Sequence, residues 1–321
     1  MCSDTHTYTF GPVPSRRLGR SLGIDCAPFK VCTYDCVYCQ LGRTIEKRSK
    51  RKNFFPRKNI VDAVRHRIAR IPCPDYLTIS GSGEPTLYSG LKGLIKEIKT
   101  VANIPCAVLT NGSLFWSKDV RDAVRGADLI IPSLDAGNQL IFQQINRPHP
   151  DIAFDDVLRG LRLLREEFEG AVWLEVFLVS GLNDGDREIA EIKECVDLIA
   201  PDRVQLNTAV RVPAEQWVTA VEGERLQQIA SFFGDRCEVI ADVARDLEPK
   251  EFTATRSDVL ELLQRRPCTV DDISRGLALH RNEVVKYIGE LLETGEIRGE
   301  ERGTDVFYTA RWNEGEIRIQ R

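Results

Sequence analysis

Six short apolar runs, each ending in small or polar residues, restrict the architecture of this chain more than any other feature. They are Ser21–Asp25, Tyr76–Ser80, Cys106–Thr110, Leu129–Leu134, Val172–Val179 and Val204–Asn207. Between them, Ile60–Ile71, Leu91–Val101, Val157–Phe168 and Ile189–Ile199 carry apolar residues at helical spacing. Strands alternating with helices build βαβ units and a parallel sheet. The expected fold class is α/β, a partial (β/α)6 TIM-like barrel. In such barrels the chemistry sits in the loops that leave the C-terminal ends of the strands. The polar motifs GSGEPT, TNGS, SLDA and SGLND fall at those ends.

Near Phe252 the pattern changes. Arg256–Arg265 reads as a helix, Thr269 as the cap of a second with Asp271 and Asp272 in its first turn, and His280–Glu293 as a third that Gly295 ends. Two strands follow, Glu296–Gly299 and Val306–Thr309. Three helices and a β-wing predict a C-terminal winged-helix domain. The expected organisation is 1–245 as the barrel and 246–321 as linker and winged helix, with the charged stretch Arg245–Glu251 as the linker.

The 321 residues, 42% of them hydrophobic, suffice for one large and one small core. Basic and acidic residues number 44 and 48, so no global basic field for nucleic acid exists, although a local patch is still allowed. The first 17 residues contain no apolar segment behind a basic start, and no long apolar run occurs anywhere. A secretory signal and a membrane span are therefore not expected, and a cytoplasmic location is. There, ten cysteines point to reduced thiols or metal ligands.

Three of them, Cys32, Cys36 and Cys39, stand in a C-x3-C-x2-C spacing. Closely spaced loop thiolates can converge on an iron–sulfur cube. Three ligands for four irons leave one iron open, as a catalytic metal requires. A zinc site or three unconnected thiols are the plainer alternatives. Tyr38 precedes the third cysteine, where a ring could pack beside an adenine.

The segment CTYDCVYC resembles the signature of the radical S-adenosylmethionine (SAM) superfamily, and the likeness extends through about the first 245 residues. GPVPSRRLGRSLGID, followed by the cysteines and QLG, resembles more narrowly the wyosine-synthase-related subgroup of uncharacterised iron–sulfur oxidoreductases. The resemblance implies a [4Fe–4S] cluster on the three cysteines and S-adenosyl-L-methionine on the open iron. It implies reductive cleavage to a 5′-deoxyadenosyl radical that modifies a substrate, with a tRNA base as the first guess. It also implies a one-electron donor such as flavodoxin or ferredoxin.

Gly81–Pro85, GSGEP, resembles the superfamily's glycine–glycine–glutamate motif, with Ser82 in place of one glycine. Gly83 would let the backbone approach the ligand. Glu84 would accept hydrogen bonds from the methionine ammonium. The resemblance puts Asn111 and Ser113 near SAM, Ser133 and Asp135 at the ribose hydroxyls, and Leu182 and Asn183 beside the adenine. An ordinary turn or helix cap is the alternative in each case. Arg147, His149, Asn207 and Arg211 could reach a substrate, with His149 and Arg147 as the catalytic candidates. Glu175 could face the barrel interior or be a satisfied polar group, and Cys26 is read as a buried spectator thiol.

Eight basic residues between Arg43 and Lys58, with Phe54 and Phe55 among them, suit an RNA backbone and stacked bases, or simply a solvated loop. The expected third helix of the winged helix carries charges of both signs, which favours protein or substrate recognition over DNA. Two other function classes fit these features. One is a peptide- or protein-modifying radical enzyme; the other is an iron–sulfur redox sensor that binds DNA.

Overall fold

The alternating runs fold into alternating strands and helices. The computed structural model describes residues 8–15, 17–210, 213–241, 255–277, 279, 281–302 and 305–311. In chain order the elements are β1 (Thr9–Ser15), β2 (Gly19–Ile24), β3 (Val31–Cys32), β4 (Glu46–Lys47), α1 (Arg57–Ile68), β5 (Tyr76–Ile79), a 3-10 turn (Pro85–Leu87), α2 (Leu91–Val101), β6 (Cys106–Thr110), α3 (Lys118–Val124) and β7 (Leu129–Pro132). Next come α4 (Gln139–Ile145), α5 (Phe154–Glu167), β8 (Ala171–Leu178), α6 (Asp186–Ile199), β9 (Arg203–Thr208), α7 (Gly223–Phe233) and β10 (Cys237–Val239).

One sheet has the order β1-β2-β5-β6-β7-β8-β9-β10. From β2 to β10 every neighbouring pair is parallel, while β1 joins β2 antiparallel. The six expected runs are β2, β5, β6, β7, β8 and β9. Strands β1 and β10 and helices α3, α4 and α7 were not expected. Strand β1 contains Pro12 and Pro14, which an edge strand tolerates because it pairs on one side only. A register shift between Phe10 and Val13 accommodates them.

The parallel sheet is covered on its faces, so strands such as Leu129–Pro132 are buried at every position. Helix α2 turns Leu91, Leu94, Ile95 and Ile98 into the core, the i, i+3, i+4, i+7 stripe of an amphipathic helix. Each such burial contributes about 1.5–3 kcal/mol.

The C-terminal segment forms α8 (Arg256–Arg265), α9 (Val270–Leu277), α10 (Arg281–Glu293), β11 (Ile297–Arg302) and β12 (Asp305–Ala310), the last two pairing antiparallel. Reciprocal Thr–Asp hydrogen bonds cap α8, through Thr255 and Asp258, and α9, through Thr269 and Asp272. These elements enclose their own core of Val259, Leu263, Ile273, Val284 and Leu291. The Arg245–Glu251 stretch, the expected boundary at 245/246, His280 and Arg211 lie outside the described residues.

Helix α8 docks on the opposite end of the chain. Arg67 of α1 donates to the Gly11 carbonyl at 2.6 Å and to Asp258 at 2.9 Å. The Arg265 guanidinium lies 3.8 Å from the Phe10 ring centroid, and its Nη1 reaches Asp25 Oδ2 at 3.3 Å. Among the described residues no helix is long and apolar enough to cross a membrane.

Gly160 in α5 lets the helix lie directly on the loop after β6, because a Cβ there would stand 2.3 Å from the Trp116 nitrogen and 2.6 Å from the Phe115 carbonyl carbon. Gly160→Ala would gain roughly 1 kcal/mol of helix propensity. The overlap with backbone costs more, and a net loss of about 1–2 kcal/mol is expected in urea denaturation.

Candidate functional site

Every parallel strand ends at the same edge of the sheet, and the loop carrying the three cysteines lies across that edge. Its backbone is held from three directions. Lys30 N donates to the Ser82 carbonyl at 2.7 Å, and Glu84 N to the Val31 carbonyl at 3.0 Å. The segment after α4 receives Asp35 N on the Asn146 carbonyl and Val37 N on the Ile145 carbonyl, while His149 N donates to the Thr33 carbonyl at 2.8 Å. Glu215 N donates to the Val37 carbonyl at 3.0 Å. The Asp35 carboxylate closes the loop on itself by accepting from Thr44 N at 2.7 Å and Arg43 Nε at 2.8 Å.

Each cysteine sulfur meets its own N–H donor. Asn111 Nδ2 donates to Cys32 Sγ at 3.5 Å, Asn146 Nδ2 to Cys36 Sγ at 3.5 Å, and Lys30 Nζ to Cys39 Sγ at 3.1 Å. Burial pushes the Cys32 thiol up to about 12, with the Glu84 charge adding to it, and raises Cys36 as well, with Asp135 and Cys32 contributing. Thiolates at Cys32 and Cys36 therefore depend on a metal to displace their protons. Among the described residues no three His, Cys, Asp or Glu are gathered to hold a single metal ion. A cubane carries its irons at separate corners, so its ligands surround a volume instead of meeting at a point. Three loop thiols, each facing a donor that favours the anion, fit that group. Cys26 points elsewhere: it is 1% exposed, with its sulfur 4.0 Å from the Pro85 carbonyl.

The GSGEP turn packs on this loop. A Cβ on Gly83 would stand 2.3 Å from the Val31 carbonyl and 2.9 Å from that of Pro28. The close approach expected toward a ligand is thus made to the cysteine loop. Glu84 is buried, and burial raises its carboxyl against four hydrogen bonds. Its Oε1 accepts from Thr86 N, Thr86 Oγ1 and Thr110 Oγ1, and its Oε2 from Asn111 N at 2.9 Å. With one donor on it, Oε2 keeps room for an ammonium N–H.

Several expected contacts serve as internal supports. Ser113 is fully buried, and its hydroxyl donates to Thr33 Oγ1 at 2.8 Å, which also accepts from Asn111 at 2.6 Å. Asp135 was expected as an open ribose acceptor; it is 2% exposed and takes Tyr38 Oη at 2.5 Å, Asn146 Nδ2 at 2.7 Å and Phe177 N at 2.9 Å. Tyr38, expected beside an adenine, stacks on Phe177 at 3.8 Å between centroids. Asn183 is fully buried, accepting from Val179 N and donating to the Asp135 and Phe177 carbonyls. Ser133 and Leu182 sit half-buried beside them.

Arg147 pairs with Glu215, which Arg43 also reaches at 2.8 Å, and those two arginines hold the Glu215 carboxyl below its ordinary range. His149 Nδ1 accepts from Asp151 N at 3.2 Å. Asn207 donates to Glu175 at 3.1 Å, and Arg17 pairs with the same carboxylate. Ser180 is exposed, and Asp184 accepts from Gly181 N. Thr33 and Asn146 escaped notice in the sequence because Asn111, Ser113 and Cys36 lie far away along the chain, and Lys30 because nothing in its spacing to Cys39 marks the contact. The position of Asn146 in NRPHP, at the end of a helical run, was the one available signal.

The basic segment is largely engaged. Arg48 pairs with Glu46, Arg57 with Glu97, and Arg51 donates to the Thr86 and Tyr88 carbonyls. Phe54 lies under Arg48, and Phe55 packs edge-on against Tyr8. Lys50, Lys52 and Lys58 stay exposed.

Two outcomes are expected from these contacts. Asn146→Ala leaves Cys36 and Asp135 each short of a donor, so a stability loss of about 1–3 kcal/mol and faster iron release to a chelator are expected. Asp135 is pushed up to about 6 by burial, against its three hydrogen bonds. A carboxyl raised on folding contributes stability below its unfolded value, and that contribution is lost as pH rises through about 6. The metal-free protein should therefore lose about 2 kcal/mol through this group between pH 4 and 7, and Asp135→Asn should abolish that part of the slope.

The family model described as the radical SAM superfamily matches residues 27–192. A UPF0026 protein of Methanocaldococcus jannaschii is 32% identical over 311 residues, covering 94% of this chain and 95% of its own length. A UPF0026 protein of Helicobacter pylori (strain 26695) is 30% identical and is covered completely, along 97% of this chain. A protein named GTPase Obg of Brachyspira hyodysenteriae is 39% identical over 91% of this chain, which spans only 43% of that relative. Among solved structures, a radical SAM methyltransferase of Sphaerobacter thermophilus aligns with a TM-score of 0.52 at 19% identity, covering 68% of this chain and 65% of that one. Streptococcus suis SuiB aligns at 0.51 and 14% identity, covering 76% of this chain and 56% of that one. At these identities the likeness speaks for the fold alone.

Proposed function

The chain belongs to the radical SAM superfamily, whose enzymes bind a [4Fe–4S] cluster and S-adenosylmethionine, and from that premise we propose that Cys32, Cys36 and Cys39 hold the cluster at which this protein cleaves SAM. The supporting observation is the cysteine loop itself, strapped at the C-terminal edge of a parallel sheet with one N–H donor on each sulfur. When bound, the two cofactors supply a one-electron reductive cleavage that releases a 5′-deoxyadenosyl radical. The protein's part is to hold, orient and exclude water.

Asn111, Asn146 and Lys30 stabilise the sulfurs as anions. Glu84 Oε2 accepts from the methionine ammonium. Ser133 and Leu182, half-buried just after β7 and β8, would face the nucleoside. Asp135, Ser113 and Asn183 act through the groups they hold, above all Tyr38 and Thr33. Arg147 and His149 brace the loop from the α4 side and border the substrate space.

The placement in the wyosine-related subgroup, with a tRNA base as substrate, rests on the resemblance and on Lys50, Lys52 and Lys58, which remain open to a polyanion. The C-terminal segment, three helices and an antiparallel ribbon around a separate core, is read as a winged-helix domain within 246–321. Its role is recognition, exercised from its seat on β1 and α1. Electrons come from a small one-electron carrier.

Anaerobic reconstitution with iron and sulfide, followed by dithionite and SAM, should yield 5′-deoxyadenosine. Cys32→Ala, Cys36→Ala and Cys39→Ala should each abolish it. A cluster-loaded wild type that neither binds nor cleaves SAM would overturn the reading in favour of an iron–sulfur sensor.

A further inference from the structure

We propose that Lys30 is the positive charge that sets the reduction potential of the cluster, acting as a positioning residue through Cys39. The inference rests on the cluster reading above. Three side chains donate to the three sulfurs, but Asn111 and Asn146 are neutral, and Lys30 is the charged member of the set.

Lys30 is 3% exposed, so its ammonium has given up its water. A buried charge of this kind is costly unless an opposite charge faces it. The partner its Nζ meets is the sulfur of Cys39 at 3.1 Å, not a carboxylate. A thiolate-ligated cluster would supply the missing counter-charge.

The backbone tells the same story. Lys30 has φ 58°, in the left-handed region. That region is unfavourable for a non-glycine residue. Ser82, Ile45 and Glu46 hold it there: Lys30 N donates to the Ser82 carbonyl, and its own carbonyl accepts from Ile45 N and Glu46 N. Glycine would fit this conformation more cheaply but would carry no charge to Cys39.

One electron enters the cluster on reduction, no bond forms or breaks, and the centre becomes one unit more negative. A fixed cation beside a ligand sulfur stabilises that state more than the oxidised one. Lysine, methionine, glutamine and arginine bear the same backbone cost at this φ, so substitutions among them isolate the side chain.

The test is a redox titration followed by electron paramagnetic resonance, on full-length reconstituted protein without SAM. In Lys30→Met the ratio of reduced to oxidised cluster at a fixed potential should fall at least tenfold, a midpoint about 59 mV more negative for one electron. Lys30→Arg should keep the wild-type midpoint. Lys30→Gln, which retains an N–H donor without charge, should shift as Met does, and it carries the test if Met prevents iron uptake. An unchanged midpoint in the neutral variant, or Gln behaving as wild type, overturns the proposal. Wild-type protein that fails to take up four irons would instead overturn the cluster reading, so the two failures are distinguishable.

Discussion

The buried carboxylate of Asp135 is the joint on which the site turns. One oxygen holds the Tyr38 hydroxyl and the Asn146 amide, the other the Phe177 backbone N–H, and the residue's own carbonyl accepts from Asn183. The cysteine loop, the segment after α4, the strand β8 and the turn after it are thereby fixed to one residue. Its elevated carboxyl shows what this costs: three donors only partly offset the loss of water. Glu84 does the parallel task one strand-pair away, tying the turn after β5 to the end of β6. Two buried acids thus brace the loop, and all its loads converge on the same edge of the sheet because every parallel strand points there.

This bracing explains why some of the architecture could be read from the sequence and some could not. The six core strands were legible because burial on both faces demands continuous apolar runs, as in LIIP and CAVLT. Strand β1 was not, because TFGPVPS has two prolines and pairs on one side only, so neither alternation nor an apolar run marks it. Strand β10 has three residues, too few for a period. At the site, the cysteines and the strand-end motifs stood out by residue type and spacing. What each motif does was less visible. Asp135 and Asn183 look like ligand groups in sequence, and only the arrival of Tyr38 and Phe177 at Asp135, and of the Asp135 carbonyl at Asn183, shows them to be engaged within the chain. Asn146 and Lys30 carry no motif at all; their meaning comes from sulfurs brought to them by the fold.

The same lesson applies to charge. Eight basic residues in a short stretch suggest a surface for a polyanion, yet guanidinium groups seek acceptors near at hand. Arg43, Arg48, Arg51 and Arg57 find carboxylates or carbonyls of this chain. Much of the basic segment therefore serves to pin the loop down. Lys50, Lys52 and Lys58, as more strongly hydrated point charges, stay in water.

The contact between Arg265 and Asp25 has a consequence for how the protein is made. Asp25 immediately precedes the cysteine loop and accepts from the backbone N–H and hydroxyl of Ser82. Its charged partner arrives 240 residues later. At about 5–20 residues per second, a nascent chain leaves that carboxylate without its arginine for roughly 10–50 s. The support of the GSGEP turn is completed only once α8 has emerged and docked, so the last step in shaping the site waits on a helix made long after the loop it braces.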